Sequence, residues 1–370
     1  MSTVNVMPRV ERLREGMAGL GLDAFLISQP ESRRYLSGFT GHDHPPMDSA
    51  GYLLITLGEA LLLTDGRTTE QAEREAPDYR VVRIEDRLPE TLSRVISGMG
   101  LASIAFEGNH LTYRLHEELK AAIGGEVTLV PTYDVVDSMR AVKDPDELEA
   151  IREAVVLADA AFAHFLGIAE PGITERALAW EIESFLRRHG SEGVPFDPIV
   201  AAGPNAAMPH HVPGSRAIQA GEPIIVDWGA RVRGYCSDIT RTIVLGKADD
   251  RFKTLYQVVL EAQTRAEARI RARMTGAKAD ALARESIAAA GLGEQFAHSL
   301  GHGVGLAIHE MPRLVRTSNH VLVDGMVFSV EPGVYVPGWG GIRIEDLVTL
   351  QGGRPVVLTR SPKQLEAMEV

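Results

Sequence analysis

Four carboxylates stand at the ends of apolar, strand-forming runs, and they come in two pairs. Asp227 closes the run EPIIVDWG and Asp238 opens SDITRTIVLG; Glu331 closes MVFSVEPG and Glu345 lies within GIRIEDLVTL. The first pair is joined by ARVRGY, a hairpin-length connection with Gly234, and the second by a stretch carrying Pro337, Gly338, Trp339 and two further glycines. A turn centred between Val232 and Arg233 sets Asp227 directly opposite Asp238. A turn centred on Gly338 sets Glu331 opposite Glu345. Opposed residues on paired strands hold their Cβ atoms about 4.5–5.5 Å apart, and like charges there destabilise the pair. A single acidic residue is ordinarily exposed, but two symmetric acidic hairpins within apolar strands call for a cation between the carboxylates. Period-two alternation also places Arg343 on the face of Glu345, with Ile342 and Ile344 on the other.

One imidazole joins this set. His302 sits in HSLGHGVGLAIHE, between glycines that permit close backbone approach. Asp227, Asp238, His302, Glu331 and Glu345 together form a hard, oxygen-rich donor set. It favours Mn²⁺, with Co²⁺, Fe²⁺ or Zn²⁺ as alternatives, over a thiolate zinc site. Four negative charges balance two divalent cations. Other chemistries lack their residues. The glycine-rich run has no Lys-Ser/Thr of a phosphate-binding loop, and Arg313 stands where an HExxH motif needs its second histidine. There is no GxSxG nucleophile elbow. Cys236 is read as a small core residue rather than a soft ligand. The PHH stretch at 209–211 follows the turn-rich GPN and lies on a loop at a strand end, a usual place for catalytic groups.

The 370 residues are too many for one ordinary core. Helical spacing of Val10, Leu13, Met17 and Leu20 is followed by strand patterns at 23–28, 51–56, 60–65 and 103–107 and helical ones at 68–76 and 112–123. That alternation predicts a smaller N-terminal α/β domain. The stretch 131–143 carries no strong period, and the boundary is placed between residues 136 and 137. From Pro145 a long amphipathic helix is expected, with Ile151, Val155, Ala158, Phe162 and Phe165 on one face. A second helix follows Pro171-Gly172, and two more span 251–290, split near Thr275-Gly276. With strands at 223–228, 237–245, 326–330 and 342–349, residues 137–370 read as an α+β domain.

Quoted in order, FDPIVAAGPNAAMPHH, IIVDWGARVRGYCSDITRT, HSLGHGVGLAIHE, FSVEPGVY and GIRIED resemble the pita-bread metallopeptidases: methionine aminopeptidase, prolidase and aminopeptidase P. The likeness covers residues 139–370. The N-terminal domain, the PHH segment and IRIED favour the proline-specific branch, Xaa-Pro dipeptidase or aminopeptidase P. The resemblance implies that Asp227 binds one of two divalent ions through both oxygens, that Asp238 and Glu345 bridge the pair, and that His302 and Glu331 complete the second. It implies a metal-bridging hydroxide as nucleophile, with Glu331 accepting a proton from water. His309 would stabilise the oxyanion, and His210 would assist the leaving nitrogen. His298 would line the substrate pocket and Arg343 would support the site. A homodimer acting on proline-containing di- or oligopeptides is implied in the same way. Alternatives are a metal-dependent hydrolase of non-peptide substrates on this fold, and an inactive binding protein. Creatinase-like members lack the five ligands that stand here.

Composition narrows the rest. A net charge of −12 gives no footprint for nucleic acid, and no apolar run reaches the length that spans a bilayer. The N-terminus has no signal-peptide pattern, and the single cysteine permits no intrachain disulfide. A cytoplasmic protein is the expectation. One stretch, HDHPPMDSAG after YLSGFTG, is longer than such chains usually carry there. With His42, Asp43, His44 and Asp48 it is either a solvated loop, an adventitious metal site, or a segment that reaches an active site, its own or a partner subunit's, and limits peptide length.

Overall fold

A computed structural model describes residues 5–43, 48–125 and 127–370. The chain divides into two compact units, Met1–Arg140 and Ala141–Val370. The division falls four residues beyond the expected 136/137 boundary, because Val135–Ala141 is one short helix.

The first unit is built on a six-stranded mixed sheet. Its order is Arg80–Arg83, Ala60–Thr64, Tyr52–Thr56, Ala24–Ile27, Ser103–Glu107, Thr128–Thr132. Ala24–Ile27 is central and buried along its whole length, antiparallel to Tyr52–Thr56 and parallel to Ser103–Glu107. Such continuous apolar burial is what a strand covered on both faces needs. Both edge strands went unread in the sequence, and the reason is physical: neither Arg80–Arg83 nor Thr128–Thr132 has a fully buried residue, so neither carries apolar periodicity. The first helix, Met7–Gly19, buries Val10, Leu13 and Met17. Leu20 leaves that face and is 64% exposed, since the chain turns at Gly21 with φ +66°.

In the second unit, four helices pack on strands around one core. Pro145–Ile168 starts with a capping box. Asp144 accepts from the Glu147 N–H, Glu147 reaches back, and Pro145 occupies a first-turn position where no N–H is needed. Its buried face includes Ile151, Val155, Ala158, Phe162 and Phe165. Phe162 stacks on Trp228 of the strand Pro223–Trp228 at 5.2 Å. Helix Glu175–Arg188 follows, and Asp250–Arg269 and Gly276–Ala289 are separated at an N-capping Thr275.

Two sheets carry what matters for chemistry. One has three strands, Ile239–Val244, Pro223–Trp228 and Ile199–Ala202. The other has five: Glu310–Leu314, Gly301–Gly303, Val327–Val330, Asp346–Gln351 and Arg354–Val357. A two-stranded ribbon, Gly333–Val336 with Gly340–Arg343, extends the second hairpin. The expected single strand 342–349 is therefore two, broken at Ile344-Glu345. The Glu345 N–H leaves its own hairpin and donates to the Thr240 carbonyl at 3.0 Å.

Candidate metal centre

The first acidic hairpin has a different register from the one expected. Asp227 lies opposite Thr240, with Trp228 opposite Ile239. The ladder continues through Arg231–Cys236 and Val232–Tyr235, so the turn is Arg233-Gly234, one residue later than assumed. Those two residues have φ +51° and +82°, the pair of positive values that a two-residue hairpin matching strand twist demands. Moving the turn centre by one residue shifts the pairing by two, which preserves the face. Asp227 and Asp238 are thus diagonal neighbours on one side of the sheet, not direct opposites.

The second hairpin keeps the expected register. Val330 pairs with Asp346 and Gly333 with Arg343, both about a centre at Gly338, so Glu331 faces Glu345. Ladder bonding lapses at these two residues. The Glu331 N–H donates to the Leu300 carbonyl at 2.8 Å, and the Glu345 N–H to Thr240. The break ties the second hairpin to the first, and to the segment just before the strand that carries His302.

That strand needs its glycines. A Cβ at Gly301 would stand 2.0 Å from the Ser329 carbonyl oxygen, and one at Gly303 would stand 2.1 Å from that of Met311. With hydrogen there instead, His302 is pressed between neighbouring strands. Asp238, His302 and Glu345 each bring a ligand atom to within 4.8 Å of the others. His302 Nε2 is 3.7 Å from Asp238 Oδ2 and 3.4 Å from Glu331 Oε1.

A cation fits this arrangement better than a proton does. His302 Nδ1 lies 3.2 Å from the Gly303 carbonyl, an acceptor only, so the ring proton is assigned there. Burial first, then His309, lowers the His302 pKa to about 3, which leaves the imidazole neutral. Its Nε2 lone pair then faces two carboxylates, an arrangement that a positive ion turns from repulsive to bonding. Two further acceptors, Asp227 Oδ1 and Glu345 Oε1, are buried without a hydrogen-bond partner, and such orphans mark an ion or water. Burial and neighbouring charge strain the cluster further. Asp238 is raised well above its ordinary value by burial, then by Glu345, Asp227 and Glu331. Glu345 is raised by burial, then by Glu331 and Asp227. Burial raises Glu331 to about 7.

The flanking groups are fixed by a network the sequence only partly disclosed. Arg343, almost wholly buried, donates to Asp227 Oδ2 at 2.7 Å, Thr240 Oγ1 at 3.1 Å, Tyr335 Oη at 2.9 Å and the Pro209 carbonyl at 3.3 Å. Thr240 Oγ1 donates to Glu345 Oε2 at 2.6 Å. Ser329 Oγ donates to Glu331 Oε1 at 3.0 Å and accepts from the His302 N–H at 3.1 Å. His298 Nδ1 faces the Ser299 carbonyl at 2.8 Å, so its Nε2 accepts from the Tyr335 hydroxyl at 2.9 Å. Burial holds His298 at about 3 and lifts Tyr335 to about 12, so both stay neutral. The His309 ring lies 4.0 Å from that of His302; burial, then Arg313, lowers its pKa.

His210 is exposed, and the residue beside it does the anchoring. His211 Nε2 bonds Glu175 Oε2 at 2.9 Å, and Glu175 also accepts from Ala202 N–H and Asn205 Nδ2. Glu175, Tyr335, Thr240 and Ser329 were missed in the sequence. Alternation could have found Thr240, two residues beyond Asp238 on the same face. Nothing in the sequence signals Glu175, which sits on a helix. Cys236 is buried, with Sγ 3.7 Å from the Leu306 carbonyl.

In the N-terminal unit, Asp43 is taken by Arg33 at 2.7 Å and Asp48 by Arg67 at 2.6 Å. His44 lies outside the described residues. A cavity of about 1230 Å³ in this unit is lined by Asp43, Asp48, Arg67 and His110 among others, and by none of the five candidate ligands.

Residues 149–351 match the family described as Metallopeptidase family M24, and residues 9–142 match the Creatinase/Prolidase N-terminal domain. The chain is 40% identical over 359 residues to the protein named Uncharacterized peptidase YqhT from Bacillus subtilis (strain 168), covering 96% of this chain and 99% of that one. Among solved structures it is similar to the Xaa-Pro dipeptidase from Bacillus anthracis, with TM-score 0.92, 41% identity, and 98% and 99% of the two chains covered. It is also similar to the X-Pro aminopeptidase from Thermotoga maritima MSB8, with TM-score 0.85, 37% identity, and coverage of 96% and 99%.

Proposed function

We propose, for a chain that belongs to metallopeptidase family M24 and is a metal-dependent peptidase, that the bond it cleaves is the Xaa-Pro bond at the N-terminal end of short peptides. The observation that carries this reading is the buried constellation of His302 Nε2 facing Asp238 and Glu331 beside the unpartnered oxygens of Asp227 and Glu345. Asp227, Asp238, His302, Glu331 and Glu345 would hold two divalent cations, Mn²⁺ before Co²⁺, Zn²⁺ or Fe²⁺ on the hardness of the donor set. Bound there, such ions polarise a carbonyl and bring the pKa of water towards neutrality.

The chain's own groups supply the rest. Glu331, whose carboxylate lies 3.4 Å from His302 Nε2, would take a proton from water and return it. His309, beside His302, is placed to donate to an oxyanion on the scissile carbonyl. His210, on a loop held by Arg343 at the Pro209 carbonyl and by Glu175 at the His211 side chain, can hand a proton to the departing nitrogen. His298 and Arg343, joined through Tyr335, form one wall of the substrate site. A bond to proline has no N–H and carries a ring, so a protease that grips the scissile N–H fails on it; none of the groups assembled here requires that N–H. A homodimer is part of the same reading. Among the described residues no helix is long and apolar enough to cross a membrane.

The test is metal content and substrate length together. The Mn²⁺-loaded protein is expected to hold about two ions per chain and to cleave Ala-Pro, Ala-Pro-Ala, or both, while sparing Ala-Ala. Cleavage of the dipeptide alone makes it a dipeptidase, and cleavage of the tripeptide an aminopeptidase. A loaded protein that cleaves neither overturns the proline reading, and one that takes up no divalent metal overturns the centre itself.

A further inference from the structure

The side of the sheets opposite the metal centre holds a second buried ionic cluster that none of the chemistry above uses. Alternation explains why it is there. On the strand Ile239–Val244, Thr240 points to the centre, so Arg241 points away; after Glu345, Asp346 does the same. Arg241 and Asp346 meet at 2.7 Å with side chains 0% and 1% exposed.

Arg241 has five N–H donors and spends them on five acceptors. Nη1 donates to the carbonyls of Thr240 at 2.9 Å and Glu345 at 2.5 Å. Nη2 donates to Asp346 and to the Ser361 carbonyl at 2.7 Å, and Nε to the Pro362 carbonyl at 2.9 Å. Asp346 is equally full. Thr359 Oγ1 donates to one oxygen, and Lys363 Nζ and Gln263 Nε2 to the other, at 2.5 and 3.1 Å. Gln263 Nε2 also reaches the Val330 carbonyl, next to Glu331, at 3.3 Å. Lys363 is held in turn by Glu267 at 2.8 Å.

The cluster's outer members come from residues 359–363, beyond residue 351 where the metallopeptidase match ends. This segment is itself fastened. Ser361 donates through N–H and Oγ to Asp159 of the helix Pro145–Ile168, and Tyr256 Oη donates to the Lys363 carbonyl. A staple serving only the fold could end on any backbone. This one ends on the carbonyls of Glu345 and of Thr240, the residue whose hydroxyl bonds the Glu345 carboxylate.

We propose that the segment Thr359–Lys363 is a strap that sets the Glu345 carboxylate through Asp346 and Arg241, which makes Lys363 and Arg241 positioning residues that govern cation affinity at the centre. The inference rests on the metal-centre reading. Loosening the strap frees the guanidinium that holds the Thr240 and Glu345 carbonyls together, and the donor set loses its fixed spacing. Groups outside the ligand shell that orient ligands typically change metal affinity by about 10- to 100-fold.

The experiment compares wild type, Lys363→Met, Lys363→Arg and Ile182→Ala, a core substitution on the helix Glu175–Arg188, away from the residues that bond the strap. Mn²⁺ affinity is measured against a competing chelator, and the visible absorption of the Co²⁺-loaded protein reports coordination geometry. Lys363→Met is expected to weaken Mn²⁺ binding by about tenfold or more and to alter the Co²⁺ bands. Lys363→Arg restores both, and Ile182→Ala loses thermal stability while keeping both. If Lys363→Met does not fold, Glu267→Gln removes only the outer end of the cluster and is expected to shift affinity in the same direction by less. Wild-type affinity and bands in the folded Lys363 or Glu267 variant overturn the strap, as does an equal loss in Ile182→Ala. A wild-type protein that binds no cation overturns the centre as well, so the two failures are distinguishable.

Discussion

Thr240→Val removes one oxygen and leaves the volume nearly unchanged, yet it should strike the metal centre. Thr240 Oγ1 donates to Glu345 Oε2 at 2.6 Å and accepts from Arg343 Nε at 3.1 Å, both fully inside the protein. A hydrogen bond to a charged group contributes about 1.5–3 kcal/mol. At about 1.4 kcal/mol per decade, cation affinity should fall about 10- to 150-fold if that bond is what aims the Glu345 carboxylate. Thr242→Val is the matched control. Its hydroxyl is as buried but serves only the backbone of Arg343, donating to the carbonyl at 2.8 Å and accepting from the N–H at 3.0 Å. That variant should lose about 1–3 kcal/mol of stability and little metal affinity. The assay is Mn²⁺ titration against a chelator, with thermal unfolding of the metal-free proteins alongside. Wild-type affinity in Thr240→Val, or equal losses in both variants, refutes the assignment of Thr240 to the carboxylate.

Two other outcomes are expected. Tyr335→Phe strips a shared partner from His298 and Arg343; metal content should hold while kcat/KM falls by about 10- to 100-fold, or about 1.4–2.8 kcal/mol, and an unchanged kcat/KM refutes a role for the hydroxyl. Cation affinity should climb with pH through about 7, because Glu331, Asp238 and Glu345 are all raised and each must release its proton before a cation binds. In the metal-free protein burial raises Glu331 to about 7, so below that value a proton must leave before a cation binds. His302, lowered to about 3, adds no proton over this range. Affinity independent of pH between about 5.5 and 7 would remove Glu331 from the ligand set.

The fold was legible wherever burial imposed a period. Ser103–Glu107 and Pro223–Trp228 are built around the apolar runs 104–106 and 223–226, and Pro145–Ile168 announces itself by an Asp-Pro start and a Glu three residues after the cap. The edge strands Arg80–Arg83 and Thr128–Thr132 carry none of this, because an edge buries too little side chain to leave a mark. The break at Ile344-Glu345 was invisible for a different reason. Its residues keep strand-like character, and what diverts them is a carbonyl on a strand about a hundred residues earlier in the chain, at Thr240.

The candidate site divides along the same line. Like charges within apolar strands are costly enough that the sequence retains the trace of what offsets them, so the acidic pairs stand out even though one pairing register was misjudged. The error shows what parity protects. A turn centre displaced by one residue moves partners by two, and Asp227 still shares a face with Asp238. Groups that act by supporting others leave no such trace. Thr240, Ser329, Tyr335 and Glu175 are ordinary residue types whose importance lies in a partner far away in the chain, and Arg241 reads as an exposed arginine until its strand is seen to pack against a second layer. Its five donors are met by Thr240, Glu345, Asp346, Ser361 and Pro362, a convergence that only the fold creates. Metal ligands are therefore readable from local pattern and charge, whereas their aim is a property of tertiary contacts. For that reason substitutions at Thr240 and Lys363, neither of them a ligand, separate the two more sharply than removing a ligand would.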